Sequence, residues 1–451
     1  MKKKALGRRK FIKNSSLAAS GMLYFSSTPS LFSPATSTRL AVAGGTPVRT
    51  KPWPQWPAMI VDDAMIANIT STVKSGKWSR INNPVNGSVA TFEKKYAELI
   101  GVRYCVGTGS GTQSLGICVD ALGIQPGDEV ITSPYTDFGT ISAILAARAL
   151  PVLADLDRRS YQIDPEEIAR KITARTKAII PVHIMGAACN MDAVMAIAHQ
   201  HKIPVIEDAC QANFAKYNGK QLGTIGQLGC FSFQGSKQLS AGEGGAVVGN
   251  DETLMDKVYT IQNHGTNRKG ENVTIGQKLR MNELEGSILL SQLDKAVSRF
   301  EKRNENARYL NSKVSAIPGL TPQYQYPGSE SSGYYLYSFT YDKTAFNNAD
   351  RAVFLKALAA EGIPASGYIK GMQHGGWSDH VLGLDVYQKS YDKKSLDLFK
   401  SSLQLPNCDK VSEEVIVISG CGPLLGDRSD MDDIVNALQK IYTNRNSLGK
   451  A

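Results

Sequence analysis

Residues 204–237 read PVIEDACQANFAKYNGKQLGTIGQLGCFSFQGSK, and this stretch decides the fold class. It contains two apolar runs of strand length, 204–207 and 230–233. The first run is followed by Asp208, and the second is followed by a polar loop that carries Lys237. Polar side chains directly after buried strands are typical of the carboxyl edge of an open α/β sheet, where such proteins bind ligands.

The same alternation continues on both sides of this stretch. Apolar runs predict seven strands, at 104–107, 129–133, 151–155, 178–183, 204–207, 230–233 and 246–249. Amphipathic stretches predict helices at 112–122, 140–149, 165–172 and 191–201. Strands that alternate with helices indicate a mostly parallel sheet with helices on both faces. The expected fold class is therefore α/β, with a three-layer large domain.

A long helical pattern then interrupts the strands. Residues 282–314 carry apolar side chains at three- and four-residue spacing, and the remaining residues mix short strands with helices, an α+β pattern. We therefore predict a large domain at 39–295 and a smaller C-terminal domain at 296–451.

The positive charge of the chain is concentrated at its beginning. The 451 residues have a formal net charge of +10, but residues 1–39 hold eight Lys and Arg and no acidic residue, which leaves +2 for the rest. Nucleic acid is therefore not an expected partner. The sequence GRRKFIK at 7–13, followed by a short apolar block, resembles a twin-arginine export signal. We predict a signal peptide at 1–38 and a periplasmic or extracytoplasmic location, with no membrane span.

The seven cysteines do not indicate disulfides or a metal site. Their number is odd, they are widely spaced, and most lie inside apolar runs. No C-x-x-C or H-E-x-x-H motif occurs. We expect buried thiols and no bound metal.

A glycine-rich segment after the first strand predicts a phosphate site. The sequence GTGSGT at 107–112 opens a helix, and helix N-termini bind anions. A dinucleotide site is the rival interpretation, but no acidic residue closes the second strand. Together with Asp208, Lys237 and the serine of Phe231-Ser232-Phe233, the segment supplies the groups that pyridoxal 5′-phosphate needs.

Several ordered motifs resemble the DegT/DnrJ-type sugar aminotransferases, which are fold-type I enzymes dependent on pyridoxal phosphate. The motifs are 40–48, 76–78, 110–112, 126–131, 181–183, 206–209, 231–233, Lys237 and 242–245. The resemblance implies that Lys237 carries the internal aldimine and moves the proton. It further implies that Asp208 pairs with the pyridine nitrogen and that Gln211 lies near the 3-hydroxyl.

The same resemblance implies the remaining contacts of the cofactor. Gly111, Thr112 and Ser232 are expected to hold the phosphate, and Phe138 is expected to stack on the ring. The family shares its active sites across a homodimer, where a G-x-N-x-R segment of the partner reaches the phosphate. In this chain that segment is GQKLR at 276–280, so Lys278 takes the place of the asparagine.

The substrate side of the site is less well defined by the sequence. His374 could bind a substrate carboxylate, or it could equally be an ordinary surface histidine. The implied reaction is ping-pong transamination from glutamate or glutamine to a keto-sugar or cyclitol. A non-catalytic periplasmic binding or regulatory protein and a sugar dehydratase are the alternatives. The dehydratase branch carries histidine at the lysine position, so Lys237 favours transamination.

Overall fold

The computed structural model describes residues 39–55 and 61–448. Its strands are β1 (Tyr104–Thr108), β2 (Glu129–Thr132), β3 (Leu150–Leu153), β4 (Thr176–Ile180), β5 (Ile206–Asp208), β6 (Lys216–Tyr217), β7 (Lys220–Gln221), β8 (Leu228–Ser232), β9 (Gly245–Gly249), β10 (Leu320–Pro322), β11 (Leu336–Tyr341), β12 (Ala365–Ser366) and β13 (Val415–Ser419). Its α-helices are α1 (Asp63–Ser75), α2 (Ser88–Ile100), α3 (Gly111–Ala121), α4 (Phe138–Ala146), α5 (Pro165–Lys171), α6 (Met191–His201), α7 (Glu252–Gln262), α8 (Glu283–Val314), α9 (Arg351–Ala360), α10 (Trp377–Gly383), α11 (Asp385–Ser390), α12 (Lys393–Ser401), α13 (Pro406–Glu414) and α14 (Arg428–Thr443).

Seven of these strands form the central sheet, in the order β3-β2-β4-β5-β8-β9-β1. Strand β2 is parallel to β3 and β4, and β5 is parallel to β8. Backbone bridges from Ile179 to Val205 and from Val182 to Asp208 join β4 to β5. Strand β9 runs antiparallel to both β1 and β8. The prediction of seven strands in a mostly parallel sheet is confirmed.

Helices cover both faces of this sheet. Successive side chains of a strand point to opposite faces, so Cys230 packs with α3 and α7 while Phe231 packs with α2 and α6. Both side chains are fully buried. The result is the three-layer α/β arrangement that the alternating pattern predicts.

A second sheet lies in the C-terminal part of the chain. Its order is β10-β11-β13-β12, and all its pairs are antiparallel. Helices α9 and α14 supply Phe354, Leu358, Ile434 and Leu438 to its core. The prediction of an α+β region after the long helix is confirmed.

Helix α8 runs through the predicted domain boundary at 295/296. Leu289 and Leu293 pack in the core of the first sheet, whereas Ala307 and Leu310 pack in the core of the second. Leu40, near the start of the described chain, also packs in the second core. The division at residue 295 stays a prediction, and the structure shows that one continuous helix crosses it.

The predicted signal peptide, 1–38, lies outside the described residues. Within 39–55 and 61–448, no helix combines the length and the apolar character needed to cross a bilayer. All seven cysteines are free thiols; five of them are buried, as the sequence predicts, whereas Cys105 and Cys210 are half-buried. The described residues also contain no cluster of three or more His, Cys, Asp or Glu that could hold a metal ion.

Candidate active site

A cavity of about 400 Å³ opens at the carboxyl ends of β5 and β8, beside the N-terminal end of α3. Its walls come from the start of α3, from the turn before α4, from the residues after the two strands and from Tyr335. The predicted residues that line it are Gly111, Thr112, Asp208, Gln211, Ser232 and Lys237. The structure thus brings together six residues that are spread over more than 120 positions of the sequence.

Lys237 lies in the loop after β8 and lines the cavity. Its backbone N–H donates to the carbonyl of Gln234 at 2.9 Å, which closes a turn of the loop. Its amine nitrogen lies 4.3 Å from the centre of the Tyr335 ring. Burial raises the pKa of the Cys210 thiol well above its usual range, and the charge of the nearby Lys237 acts in the opposite direction.

Asp208 is the last residue of β5, and only 5% of it is exposed. Its Oδ2 accepts a 2.8 Å hydrogen bond from the Thr140 hydroxyl, and its Oδ1 accepts one from the Cys210 N–H at 3.2 Å. The Thr140 hydroxyl in turn lies 2.7 Å from that of Thr136, in the loop before α4. These contacts fix the orientation of a buried carboxylate at the base of the cavity.

The N-terminal end of α3 meets the end of β8 at close range. A Cβ on Gly111 would lie 2.8 Å from the Ser232 Cβ and 2.9 Å from the Cys210 sulfur, so only glycine allows this approach. A Cβ on Gly139 would similarly lie 2.5 Å from the Thr112 hydroxyl oxygen. The hydroxyls of Thr112 and Ser232 therefore lie beside N–H groups that have no partner inside the helix. This is the chemistry of an anion site.

Gln211 is held by two partners beside the cavity. Its Oε1 accepts from the N–H of Met185 at 2.7 Å, and its Nε2 donates to the Tyr368 hydroxyl at 3.0 Å. Met185 adopts a left-handed backbone conformation with φ of 60°. A non-glycine residue in this region is uncommon, and here the conformation directs the N–H at Gln211.

Comparison with known proteins agrees with this geometry. The sequence profile of the DegT/DnrJ/EryC1/StrS aminotransferase family matches residues 60–438. The chain belongs to this family. The DegT/DnrJ/EryC1/StrS proteins are pyridoxal phosphate-dependent aminotransferases of fold type I, and so is this protein.

Curated relatives in the family match almost the whole chain. The L-glutamine:2-deoxy-scyllo-inosose aminotransferase of Micromonospora echinospora is 32% identical over 434 residues, which covers 91% of this chain and 99% of the relative. The enzyme of the same name from Streptomyces paromomycinus is 33% identical over 424 residues, covering 89% and 97%. The matches therefore span nearly the full length of both relatives.

Solved structures of the family superpose closely. 3-Amino-5-hydroxybenzoic acid synthase gives a TM-score of 0.76 at 26% identity and covers 88% of this chain and 100% of its own. An aminotransferase from Psychrobacter cryohalolentis gives 0.75 at 26% identity with the same coverage.

The cavity fits the cofactor of the DegT/DnrJ/EryC1/StrS family. Lys237 offers a primary amine for a bond to the cofactor aldehyde, and Asp208 offers a buried carboxylate for the pyridine nitrogen. The close approach of Gly111 to Ser232 creates the anion site that a phosphate needs. These assignments rest on geometry and residue chemistry together.

Three predicted residues do not line this cavity. Phe138, the first residue of α4, is 43% exposed, and its ring lies 6.5 Å from that of Trp377. His374 pairs at 2.6 Å with Asp409 on the surface, and more than half of its side chain is exposed. Near α4 the cavity wall is formed by Asp137, Gly139 and Thr140, and the roles of Phe138 and His374 stay predictions.

Lys278 is the third of these residues. It is exposed, and its backbone bridges to Asn263. The prediction places Lys278 at the phosphate of the partner's site, and a single chain does not contain that site.

The sequence did not reveal three further residues at or beside the cavity. Thr140 orients Asp208, Tyr368 holds Gln211, and Tyr335 covers the amine of Lys237. Thr136 lies in the loop before α4 and Thr140 in the first turn of the helix, so helical spacing in the sequence does not reveal this pair. The two tyrosines reach Lys237 and Gln211 through tertiary folding and leave no local signature.

Proposed function

We propose that this protein transfers the amino group of L-glutamine to the ketone of a free cyclitol. The observation that carries the proposal is that enzymes named for this donor and for scyllo-inosose ketones match this chain along about nine-tenths of its length. The cavity residues Lys237 and Asp208 supply the required chemistry.

The chain's own residues have distinct tasks in such a reaction. The bound cofactor supplies an electron sink for the substrate carbanion. The Lys237 amine removes the proton from the donor Cα and later delivers a proton to the acceptor carbon, which is general acid–base catalysis. Asp208, fixed by Thr140, holds the charge of the pyridinium nitrogen at the base of the cavity.

The charges of the cavity support an acceptor without phosphate groups. Of the described residues that line it, Lys237 is the only Lys or Arg, whereas Asp137, Asp208 and Glu243 are acidic. Within one chain's part of the site a nucleoside diphosphate finds no further Lys or Arg, and the end of α3 already serves the cofactor phosphate. A neutral polyhydroxylated ketone needs none.

A spectroscopic experiment tests the transferase assignment. The purified protein should be yellow, Lys237→Ala should lose this band, and Lys220→Ala, an exposed lysine on β7, should keep it. L-Glutamine should bleach the band, and 2-deoxy-scyllo-inosose should restore it. A protein that binds the cofactor but shows no change with glutamine or glutamate would instead favour the non-catalytic alternative.

We also propose that the active protein is a homodimer with shared sites. Eight of the large apolar side chains that are exposed in the described chain lie in two segments: Val61, Ile66, Val73, Trp78, Ile81, Val85, Val273 and Ile275. A backbone bridge between Ser79 and Asn282 brings the first segment next to the residues that follow GQKLR. Exposed apolar side chains of this number mark an interface, and Lys278 lies at its edge in the sequence.

Export through the twin-arginine route completes the proposal. It is supported by GRRKFIK at 7–13 and by the concentration of positive charge in 1–39. Replacing Arg8→Lys together with Arg9→Lys should retain the protein in the cytoplasm, as measured by cell fractionation. An unchanged distribution would refute export by this route, and Lys2→Arg, which preserves charge outside the motif, is the control.

A further inference from the structure

We propose that Tyr335 is a positioning residue for Lys237, and that residues 333–335 clamp the loop that carries this lysine. The inference rests on the proposed role of Lys237 as the proton carrier. The structure shows contacts from this segment to Lys237 itself and to both of its sequence neighbours.

On the N-terminal side of the lysine, the clamp acts through Ser236. The Ser236 hydroxyl donates to the Gln234 Oε1 at 2.6 Å, so its proton is already in use. The Tyr335 hydroxyl lies 2.9 Å from the Ser236 oxygen and is therefore the donor of that bond. A tyrosine ring fixed at its hydroxyl end cannot swing away from the loop.

On the C-terminal side, the clamp acts through Gln238, of which only 6% is exposed. Its Nε2 donates to the Gln211 carbonyl at 2.6 Å and to the Gly333 carbonyl at 3.3 Å. The Gly333 N–H donates in turn to the Gly186 carbonyl at 2.8 Å. The residue after the lysine is thus tied both to the cofactor-facing Gln211 and to the segment that holds Tyr335.

Helix α8 anchors this segment from behind. The buried Arg303 donates from Nε to the Gly333 carbonyl at 3.2 Å. Asn304 makes two bonds with Ser332, donating from Nδ2 to its carbonyl at 2.9 Å and accepting from its N–H at 3.1 Å. Since a 32-residue packed helix holds these partners, the position of Tyr335 is set by the fold and not by the loop.

The ring face of Tyr335 is the principal contact of the lysine amine. The nitrogen lies 4.3 Å from the ring centre, within the range of a cation–π interaction. It forms no hydrogen bond or ion pair with any residue of 39–55 or 61–448. During each half-reaction the Lys237 amine would be free of the cofactor while it moves the proton, and the ring would then keep it at the site of proton transfer. Misplacement by about 1 Å can lower a rate about 100-fold.

Three variants separate this role from ordinary packing. Tyr335→Leu removes the ring, Tyr335→Phe keeps the ring and loses the bond to Ser236, and Tyr337→Phe is the control. Tyr337 is a tyrosine in β11 that is 1% exposed and whose hydroxyl has no partner. The rate of bleaching by L-glutamine should fall about 100-fold in Tyr335→Leu, less in Tyr335→Phe and not at all in Tyr337→Phe. The isotope effect with Cα-deuterated glutamine should rise in the same order, because transfer of the Cα proton becomes slower.

A second measurement needs neither cofactor nor substrate. In the cofactor-free protein, trace acetylation of Lys237 relative to Lys220, measured by peptide mass spectrometry, should rise about threefold in Tyr335→Leu and stay unchanged in Tyr337→Phe. Unchanged labelling together with an unchanged isotope effect in Tyr335→Leu would overturn the proposal. If that variant does not fold, a wild-type rate and isotope effect in Tyr335→Phe would overturn it. A wild type that does not react with glutamine would refute the proposed function, whereas the labelling would still test the clamp.

Discussion

Glu207 and Asp208 are adjacent in β5 and have different roles, because neighbouring side chains of a strand point to opposite faces of the sheet. Asp208 points into the cavity. Glu207 is fully buried and accepts from the N–H groups of Gly223, Ile225 and Gly226 at 2.5–2.8 Å. Since the Cys189 N–H donates to His183 Nδ1, the ring proton lies on Nε2 and is donated to Glu207 at 3.0 Å. Glu207 is therefore structural, although the sequence places it directly beside a cofactor residue.

We expect Glu207→Gln to destabilise the fold without changing the cofactor site directly. The amide places an NH₂ group against backbone N–H donors, so buried donors lose their acceptor. Breaking a buried charged network of this kind costs about 3 kcal/mol, which urea unfolding of the cofactor-free protein will measure. Glu166→Gln, at a side chain that is 83% exposed, should leave the midpoint unchanged. Equal midpoints for the two variants would contradict this view of Glu207.

We expect Asp208→Asn to retain the cofactor and lose the reaction. A neutral amide cannot hold the positive charge of the pyridinium nitrogen, and the loss of one such preorganised charge lowers rates about 100- to 1000-fold. The rate of the glutamine half-reaction, followed by absorbance, measures this. Thr140→Val removes only the 2.8 Å bond that orients the carboxylate and should give a smaller loss. An Asn variant that matches the wild type would rule out this role.

The sequence predicts cavity residues best where they end a strand. Asp208, Ser232 and Lys237 follow apolar runs, and a parallel sheet collects such positions at one edge. Phe138 and His374 were assigned by resemblance, and their side chains depend on partners that no local pattern reveals. For Phe138 that partner is Trp377, more than 200 residues away.

At the scale of elements, the apolar pattern of the sequence predicts that a strand is present better than it predicts the direction in which the strand runs. All seven strands of the central sheet were predicted, but β9 is as apolar as the parallel strands of the sheet, and nothing in GAVVG indicates that it runs antiparallel. The four short helices between 377 and 414 were not predicted. They are six to nine residues long, too short for a helical period to stand out.

The described segment 39–55 is tied to α14 by a buried ion pair with a predictable pH dependence. Burial alone would raise the pKa of Asp430, but Lys51 and Arg49 outweigh it and lower the pKa to about 2. The Arg49 guanidinium lies 2.7 Å from its carboxylate. The ordinary value of an unfolded aspartate is about 3.9.

We therefore expect the wild type to exceed Asp430→Asn in stability by about 2 kcal/mol at neutral pH. A lowered folded pKa stabilises the protein above the unfolded pKa, so this difference should shrink as the pH falls from about 4 toward 2. Urea unfolding at pH 7, 4 and 3 measures it. Asp385→Asn, in an exposed pair with Lys389, should show no such trend. A difference that is constant with pH would contradict the assignment.

At the scale of the whole molecule, the proposed shared site makes activity a property of two chains. Lys278 is exposed and lies outside the cavity of its own chain, and a cation there serves a phosphate only if a second copy presents it. The residue is lysine where the family motif has asparagine. Its contact with the phosphate would therefore come from a charged amine on a flexible side chain and not from an amide with a fixed direction of hydrogen bonding. We expect Lys278→Glu to weaken cofactor binding strongly.

Mixing two inactive variants tests this sharing directly. Each of the substitutions Lys237→Ala and Lys278→Glu inactivates both sites of its own homodimer. In a mixed dimer, one site loses both residues, while the other combines the native Lys237 of one chain with the native Lys278 of the other. Random re-association of equal amounts should therefore restore about one quarter of wild-type activity, since half of the dimers carry one intact site of two. If Lys278 served its own chain, no mixed dimer would contain an intact site and mixing would restore nothing. Lys278→Glu with full activity would instead show that this lysine does not hold the phosphate. Mixing with Lys220→Glu, which alters a lysine on β7 outside the cavity, is the control for dilution.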